Sequence, residues 1–238
     1  MALTLSAKAQ FTDNTSHSAR NSAMGGVLLY DLDRRQVSIG YRQAFLAKGM
    51  ADKTLHMVWP TGTGGVTADY LHHGNIDYHE QQVGISYALR ATRWLTVGVG
   101  GRYLHLGTSD GHYRPQQWLG ALLLVNADLG GHTSLSLTAG TRPWDTQRPY
   151  LLHLVAIYRP LPQLITIVEA ESEEHMRMRF GTEYTYRNDY FLRTGFSTHP
   201  FVLTFGLGLR YQQCTIDLAV EAHHTLGITP HTSLTLCF

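Results

Sequence analysis

The chain has 238 residues, a formal net charge of +1, 16% charged residues and 11% aromatic residues. A charge this close to zero excludes an electrostatic case for nucleic acid, and no stretch of about 18 apolar residues exists to make a transmembrane helix. With 13 Tyr and a slightly negative mean hydropathy, the composition suits one large β domain, including a barrel in which only alternate residues meet lipid.

Leu3, Leu5 and Ala7-Lys8-Ala9 before Gln10 resemble the end of a secretory signal, so a truncated signal peptide is expected at the start. Residues 10–33 do not alternate. Within them Ser18-Ala19-Arg20-Asn21-Ser22-Ala23-Met24-Gly25-Gly26 mixes small residues with a glycine pair and predicts a short helix ended by glycine. Two readings stay open for it. One is a periplasmic tail. The other is a plug placing Ser18, Arg20, Met24, Gly25 and Gly26 in a lumen. Residues 1–33 are read as an N-terminal segment and 34–238 as the barrel.

From there the hydrophobic period is two. Val37, Ile39 and Tyr41 mark the first strand, and 54–60 the second, with Pro60 at its end. Thr61-Gly62-Thr63-Gly64-Gly65 is a turn. Val66, Ala68 and Tyr70 mark the third strand, Val83 to Leu89 the fourth, and Leu95 to Tyr103 the fifth. Residues 118–128 are apolar on both faces, which predicts a strand whose lumen side packs on the plug. Strands follow at 135–139, 150–158, 163–169, 176–186 and 190–196. In the last third Phe201, Leu203, Phe205, Leu207, Leu209 and Tyr211 alternate with Thr204, Gly206, Gly208 and Arg210. Ile216, Leu218 and Val220 alternate with Asp217 and Glu221, and the chain ends on Leu234, Leu236 and Phe238. The total is about fourteen strands, an even number as single-chain outer-membrane barrels have. Cys214 and Cys237 fall on opposite faces and are read as unpaired.

Apolar faces throughout, with polar faces carrying Arg, Asp and Glu beside Gly, predict an antiparallel transmembrane barrel in the bacterial outer membrane, with lipid outside and a polar lumen. The connections support this. Those at 62–65, 91–93, 129–131, 159–162, 187–189 and 212–213 are short. Those at 44–53, 72–79, 107–116, 142–148 and 223–231 are longer, while 170–174 and 197–199 are exceptions. Short turns belong to the periplasm and long loops to the outside.

The lumen face is predicted to carry Gln82, Arg102, Arg177, Arg179, Glu183, Arg193, Arg210, Asp217 and Glu221. A three-residue turn at 187–189 sets Glu183 opposite Arg193, and a two-residue turn at 212–213 sets Arg210 diagonal to Asp217. A charge-balancing network or a ligand path would use the same groups. Of the 14 histidines, His72, His73, His79, His112, His199, His223, His224 and His231 are assigned to the outer loops or their mouths, with Glu171, Glu173, Glu174 and His175. No spacing matches a structural zinc signature, so neither metal nor other cofactor is assigned. No nucleophile elbow, His-Glu-x-x-His or phosphate loop occurs, and no catalytic residue is assigned.

The segment Ser18-Ala19-Arg20 to Met24-Gly25-Gly26 resembles the opening of PorV and PorQ, FadL-like barrels of type IX secretion. Gly84-Ile85-Ser86-Tyr87-Ala88 and Leu95-Thr96-Val97-Gly98-Val99-Gly100 are similar to that family's paired central strands. Gly181-Thr182-Glu183-Tyr184, Leu192-Arg193-Thr194-Gly195-Phe196 and Thr204-Phe205-Gly206-Leu207-Gly208-Leu209 continue the likeness, as do Ile216-Asp217 and His224-Thr225-Leu226-Gly227. The resemblance implies a non-enzymatic barrel that docks protein partners in secretion or surface display. The alternative it leaves open is a FadL-like channel for small hydrophobic molecules.

Overall fold

The computed structural model describes residues 18–27, 34–109, 114–130, 132–172 and 176–238. The expected signal remnant lies outside them. Fourteen antiparallel strands close into one barrel, β1 pairing with both β2 and β14. In order they are β1 (Gln36–Gln43), β2 (Ala51–Thr61), β3 (Gly64–Gly74), β4 (Tyr78–Arg90), β5 (Leu95–Thr108), β6 (Gln116–Asp128) and β7 (Thr133–Thr141). Then come β8 (Tyr150–Leu161), β9 (Leu164–Glu171), β10 (Arg177–Tyr186), β11 (Tyr190–Ser197), β12 (Val202–Tyr211), β13 (Cys214–His223) and β14 (Gly227–Cys237). Each strand pairs with its sequence neighbours, so closure needs no crossover and leaves no open edge.

The alternation sorts as predicted. On β12 Leu203, Phe205, Leu207 and Leu209 are exposed on the outer surface, and Thr204 between them is buried in the lumen. The outward row of β4 is Val83, Ile85, Tyr87 and Leu89, all exposed. Rings gather at both ends of the strands. Phe196 lies 5.5 Å from Phe180 and 6.5 Å from Phe201, centroid to centroid, at one end. Tyr186, Tyr190, Trp94 and Tyr211 are exposed at the other. An apolar belt between aromatic girdles belongs in lipid. The chain is an outer-membrane β-barrel. Both cysteines are free. In the register Cys214 opposes the exposed Leu236, so Cys214 faces out and Cys237 faces in.

The strands run further than the alternation predicts. The β3–β4 connection is 75–77 and the β13–β14 connection 224–226, where loops at 72–79 and 223–231 are expected. Above the lipid the outward face is polar as well, with Lys53, His72, Gln81 and His105, so alternation fades while backbone pairing continues. His72, His73, His79 and His231 therefore belong to strands, not loops, and so does Glu171 at the end of β9. His112, Glu173, Glu174 and His175 lie outside the described residues.

The orientation can be tested in a background lacking Cys214 and Cys237. Cysteine at Leu226, exposed in the β13–β14 connection, is expected to react with a membrane-impermeant maleimide on intact cells. Cysteine at Asn188, in the β10–β11 turn, is expected to stay unlabelled. The reverse pattern overturns the orientation, and reaction at both overturns the barrel.

Candidate functional site in the lumen

The segment 18–27 lies inside the barrel. Ser18 caps a short helix, α1 (Ala19–Ala23), its hydroxyl accepting from the Asn21 amide at 3.3 Å. Gly25 and Gly26 at φ +80° and +81° turn the chain after it, a backbone that glycine adopts without strain. Helix α1 packs on β11, β12, β13 and β14. Met24 and Val27 form a small apolar core with Val155 of β8 and Ile167 of β9. On the lumen side of β6, the strand expected to pack on the plug, Leu122 and Leu124 line a void of about 40 Å3 with Thr67, Ser86, Gly100 and Thr138.

The bed for the segment is made of glycine. A Cβ on Gly181 would lie 2.5 Å from the Met24 carbonyl oxygen, one on Gly195 2.5 Å from the Gly25 nitrogen, and one on Gly206 2.4 Å from the Ala23 Cβ. The small residues of the segment and the missing side chains of three neighbouring strands are thus one fit. Polar contacts fix it. Thr204 Oγ1 donates to the Ala23 carbonyl at 2.8 Å and accepts from the Gly25 amide at 2.9 Å. The Ala19 amide donates to Ser233 Oγ at 3.0 Å, and Ser22 Oγ meets His231 Nδ1 at 2.7 Å. His231 is 1% exposed, so it is a buried anchor of the segment, not a solvated loop residue.

Among the described residues three ion-pair clusters tie the wall together. In the first, Arg20 donates from Nε and Nη2 to the two Glu183 oxygens, both at 2.8 Å. Arg193 donates to Glu183 at 2.6 Å and to Asp217 at 2.6 Å. Glu183 and Arg193 are register partners, as the turn length predicts. The expected Arg210–Asp217 pair does not form. Gly208, opposite Asp217, has no side chain, and the Arg193 guanidinium crosses that gap to reach the carboxylate. Arg210 stays at the mouth, 4.9 Å from the Phe191 ring centroid, with Arg193 at 5.0 Å from the same centroid.

In the second cluster Arg179 donates to Glu169 and, at 2.5 Å, to Glu171. His153 Nδ1 meets Glu169 at 2.9 Å, and Arg142 and Arg177 approach Glu171 at 3.5 Å. Arg177 also donates to the His199 carbonyl at 3.0 Å. In the third, Arg42 bridges Asp52 and Glu221, both at 2.8 Å, and His73 bonds to Asp52. Arg102 is on β5, its register partners Gly84 and Gly120. Gln82 is buried on β4.

His153, Glu169 and Glu171 bring three metal-type ligand atoms within 4.8 Å of one another. Both carboxylates already carry the Arg179 guanidinium, with two more arginines at Glu171. That is the charge pattern of an ion-pair network. A cation would have to enter against three positive charges.

Above the segment, toward the β1–β2 end, lies a cavity of about 160 Å3. Gly25 and Gly26 line it from the segment's side, Phe45, Leu71, Pro200 and Val202 give it apolar wall, and Arg42, Asp52, Arg177, Arg179 and Glu221 give it charged wall. Most of those charged groups are engaged with one another, so the apolar part is what a ligand meets without breaking a pair.

No protein-family model matches the chain. No curated protein sequence matches it. Solved structures do share its fold. The Pseudomonas putida toluene transporter TodX superposes with a TM-score of 0.68 at 13% identity, covering 92% of this chain and 96% of that one. CymD, a monoaromatic hydrocarbon channel, gives 0.67 at 10% identity, with coverages of 93% and 97%. Acinetobacter baumannii Omp33 gives 0.61 at 10% identity, with coverages of 86% and 98%. At these identities the likeness is one of fold.

Proposed function

We propose that this barrel is a passive outer-membrane channel for small hydrophobic molecules, with the segment 18–27 closing the lumen below an outer binding cavity. One observation carries the reading. The cavity of about 160 Å3 sits directly on the segment and has an apolar wall of Phe45, Leu71, Pro200 and Val202. A space of about that size holds a single benzene-like ring. The fold shared with a toluene transporter and a hydrocarbon channel supports the same substrate class. No reaction centre is needed for such a role.

The resemblance to PorV and PorQ favours a second reading, a barrel that holds protein partners in secretion or display. It relied on long outer loops. The connections at 75–77 and 224–226 are three residues each, shorter than the loops at 72–79 and 223–231 that this reading counts on.

Uptake separates the two. Cells with an intact outer membrane and this barrel are expected to take up radiolabelled toluene faster than barrel-free cells, with a saturable initial rate. Equal rates with folded barrel present, together with specific crosslinks to a protein partner, would reject the channel and favour the docking role.

A further inference from the structure

The outer surface carries a polar patch that the channel does not use. It begins where the lipid belt ends. The outward row of β4 is Leu89, Tyr87, Ile85 and Val83, then Gln81 and His79. From Leu89 to His79 the strand climbs about 25 Å at the usual tilt, the height of an outer-membrane apolar belt. Lys53, His72, Gln81 and His105 are consecutive register partners across β2, β3, β4 and β5, and all share the parity of the exposed belt residues Met57, Val66, Val83 and Tyr103. The belt residues beside them are Leu55, Tyr70, Val83 and Tyr103, again consecutive partners.

The imidazoles in this patch are gathered. His79 stacks on His72 with centroids 6.0 Å apart and planes at 17°, and lies 6.0 Å from His105. Gly107, the register partner of His79, makes the room. The point where its Cβ would stand is 2.5 Å from His79 Nε2 and 3.3 Å from His105 Nε2. Two ring nitrogens therefore converge over a backbone with no side chain, and His72, which stacks on His79, is in turn the register partner of Lys53 on β2. A neutral imidazole still donates one N–H, and Lys offers three. Such a donor set suits a phosphate oxygen.

We propose that this patch seats the phosphate of one outer-leaflet lipid, with its acyl chains lying down the belt over Tyr70, Val83 and Tyr103. The source is a lipid and not free phosphate because the donors are continuous with the lipid-facing surface and stand at its upper edge. The site faces away from the lumen, so it is independent of what the channel carries.

The full chain is purified in detergent, stripped of lipid and offered lipid A bearing both phosphates, the same lipid without phosphates, or inorganic phosphate. Native mass spectrometry reads what stays bound. The phosphorylated lipid is expected to be retained at one per barrel, and the dephosphorylated form about tenfold less, the equivalent of one lost charge-assisted hydrogen bond. Two variants, Lys53→Gln combined with His79→Ala, and separately Gly107→Ala, are expected to lose retention to a similar degree. The second keeps every donor and only displaces the His79 ring. Far-UV circular dichroism shows that each is folded. Retention unchanged in both folded variants, equal retention of the dephosphorylated lipid, displacement by equimolar inorganic phosphate, or stoichiometric zinc binding lost with His79 would each overturn the proposal.

Discussion

Replacing Arg193 with methionine is expected to cost the barrel about 3–5 kcal/mol, measured by reversible unfolding in lipid. Asp217 is 2% exposed, and its ion pair among the described residues is with Arg193. Without the guanidinium a buried carboxylate is left uncompensated, which is costlier than losing the attraction itself. Glu183 suffers less, because Arg20 still holds both its oxygens. Adding Asp217→Asn should therefore recover part of the loss, since it removes the orphaned charge. Arg20→Ala should be the mildest of the set. Its side chain is 34% exposed, and Glu183 keeps Arg193. Equal losses for Arg193→Met and Arg20→Ala would mean that the pairs do not share the load as their burial implies.

Leu123→Arg and Leu124→Arg should differ sharply although the residues are neighbours. Leu123 stands near the middle of β6 on the outer face and is 51% exposed to the space lipid fills. A guanidinium there is expected to cost about 2–4 kcal/mol, as charges near the bilayer midplane do. Leu124 faces the lumen beside a void of about 40 Å3. An arginine there keeps its guanidinium on the polar side, near Thr67, Ser86 and Thr138, and is expected to cost less than one in lipid. Similar losses would contradict the assignment of the faces. A lumen position is not automatically permissive. Thr204 faces in as well, but its hydroxyl holds the Ala23 carbonyl and the Gly25 amide, so an arginine there would have to expel the segment.

The strands, their faces and their number were legible because lipid on one side and polar lumen on the other impose period two on most strands, β6 excepted. The Glu183–Arg193 pair was legible because a three-residue turn fixes the register between β10 and β11. The partner of Asp217 was not. Arg193 reaches it across β12 through the gap at Gly208, a diagonal path that depends on a missing side chain and not on spacing along the chain. Asp52 and His231 fall in the predicted loops 44–53 and 223–231, and Arg42 goes unmarked, for a different reason. They sit where both faces leave the lipid, so alternation no longer marks the strand. The second cluster did leave a signal. His153 interrupts the inward row of Leu151 and Val155, and Glu169 and Glu171 follow Ile165 and Ile167 on one face of β9. Lone polar residues in an inward row mark groups that find one another inside. The seating of the segment on Gly181, Gly195 and Gly206 could not be read in advance, because the contact joins pieces more than 150 residues apart along the chain.

The route through the outer cavity is tested most directly by filling it. Val202 lines the cavity, while Val220, on the neighbouring strand, faces lipid and is 41% exposed. Toluene uptake by intact cells is measured for folded Val202→Trp and Val220→Trp barrels at equal abundance. Val202→Trp is expected to reduce the initial rate to near that of barrel-free cells, with Val220→Trp unchanged. Wild-type uptake through the Val202→Trp barrel would contradict passage by way of this cavity.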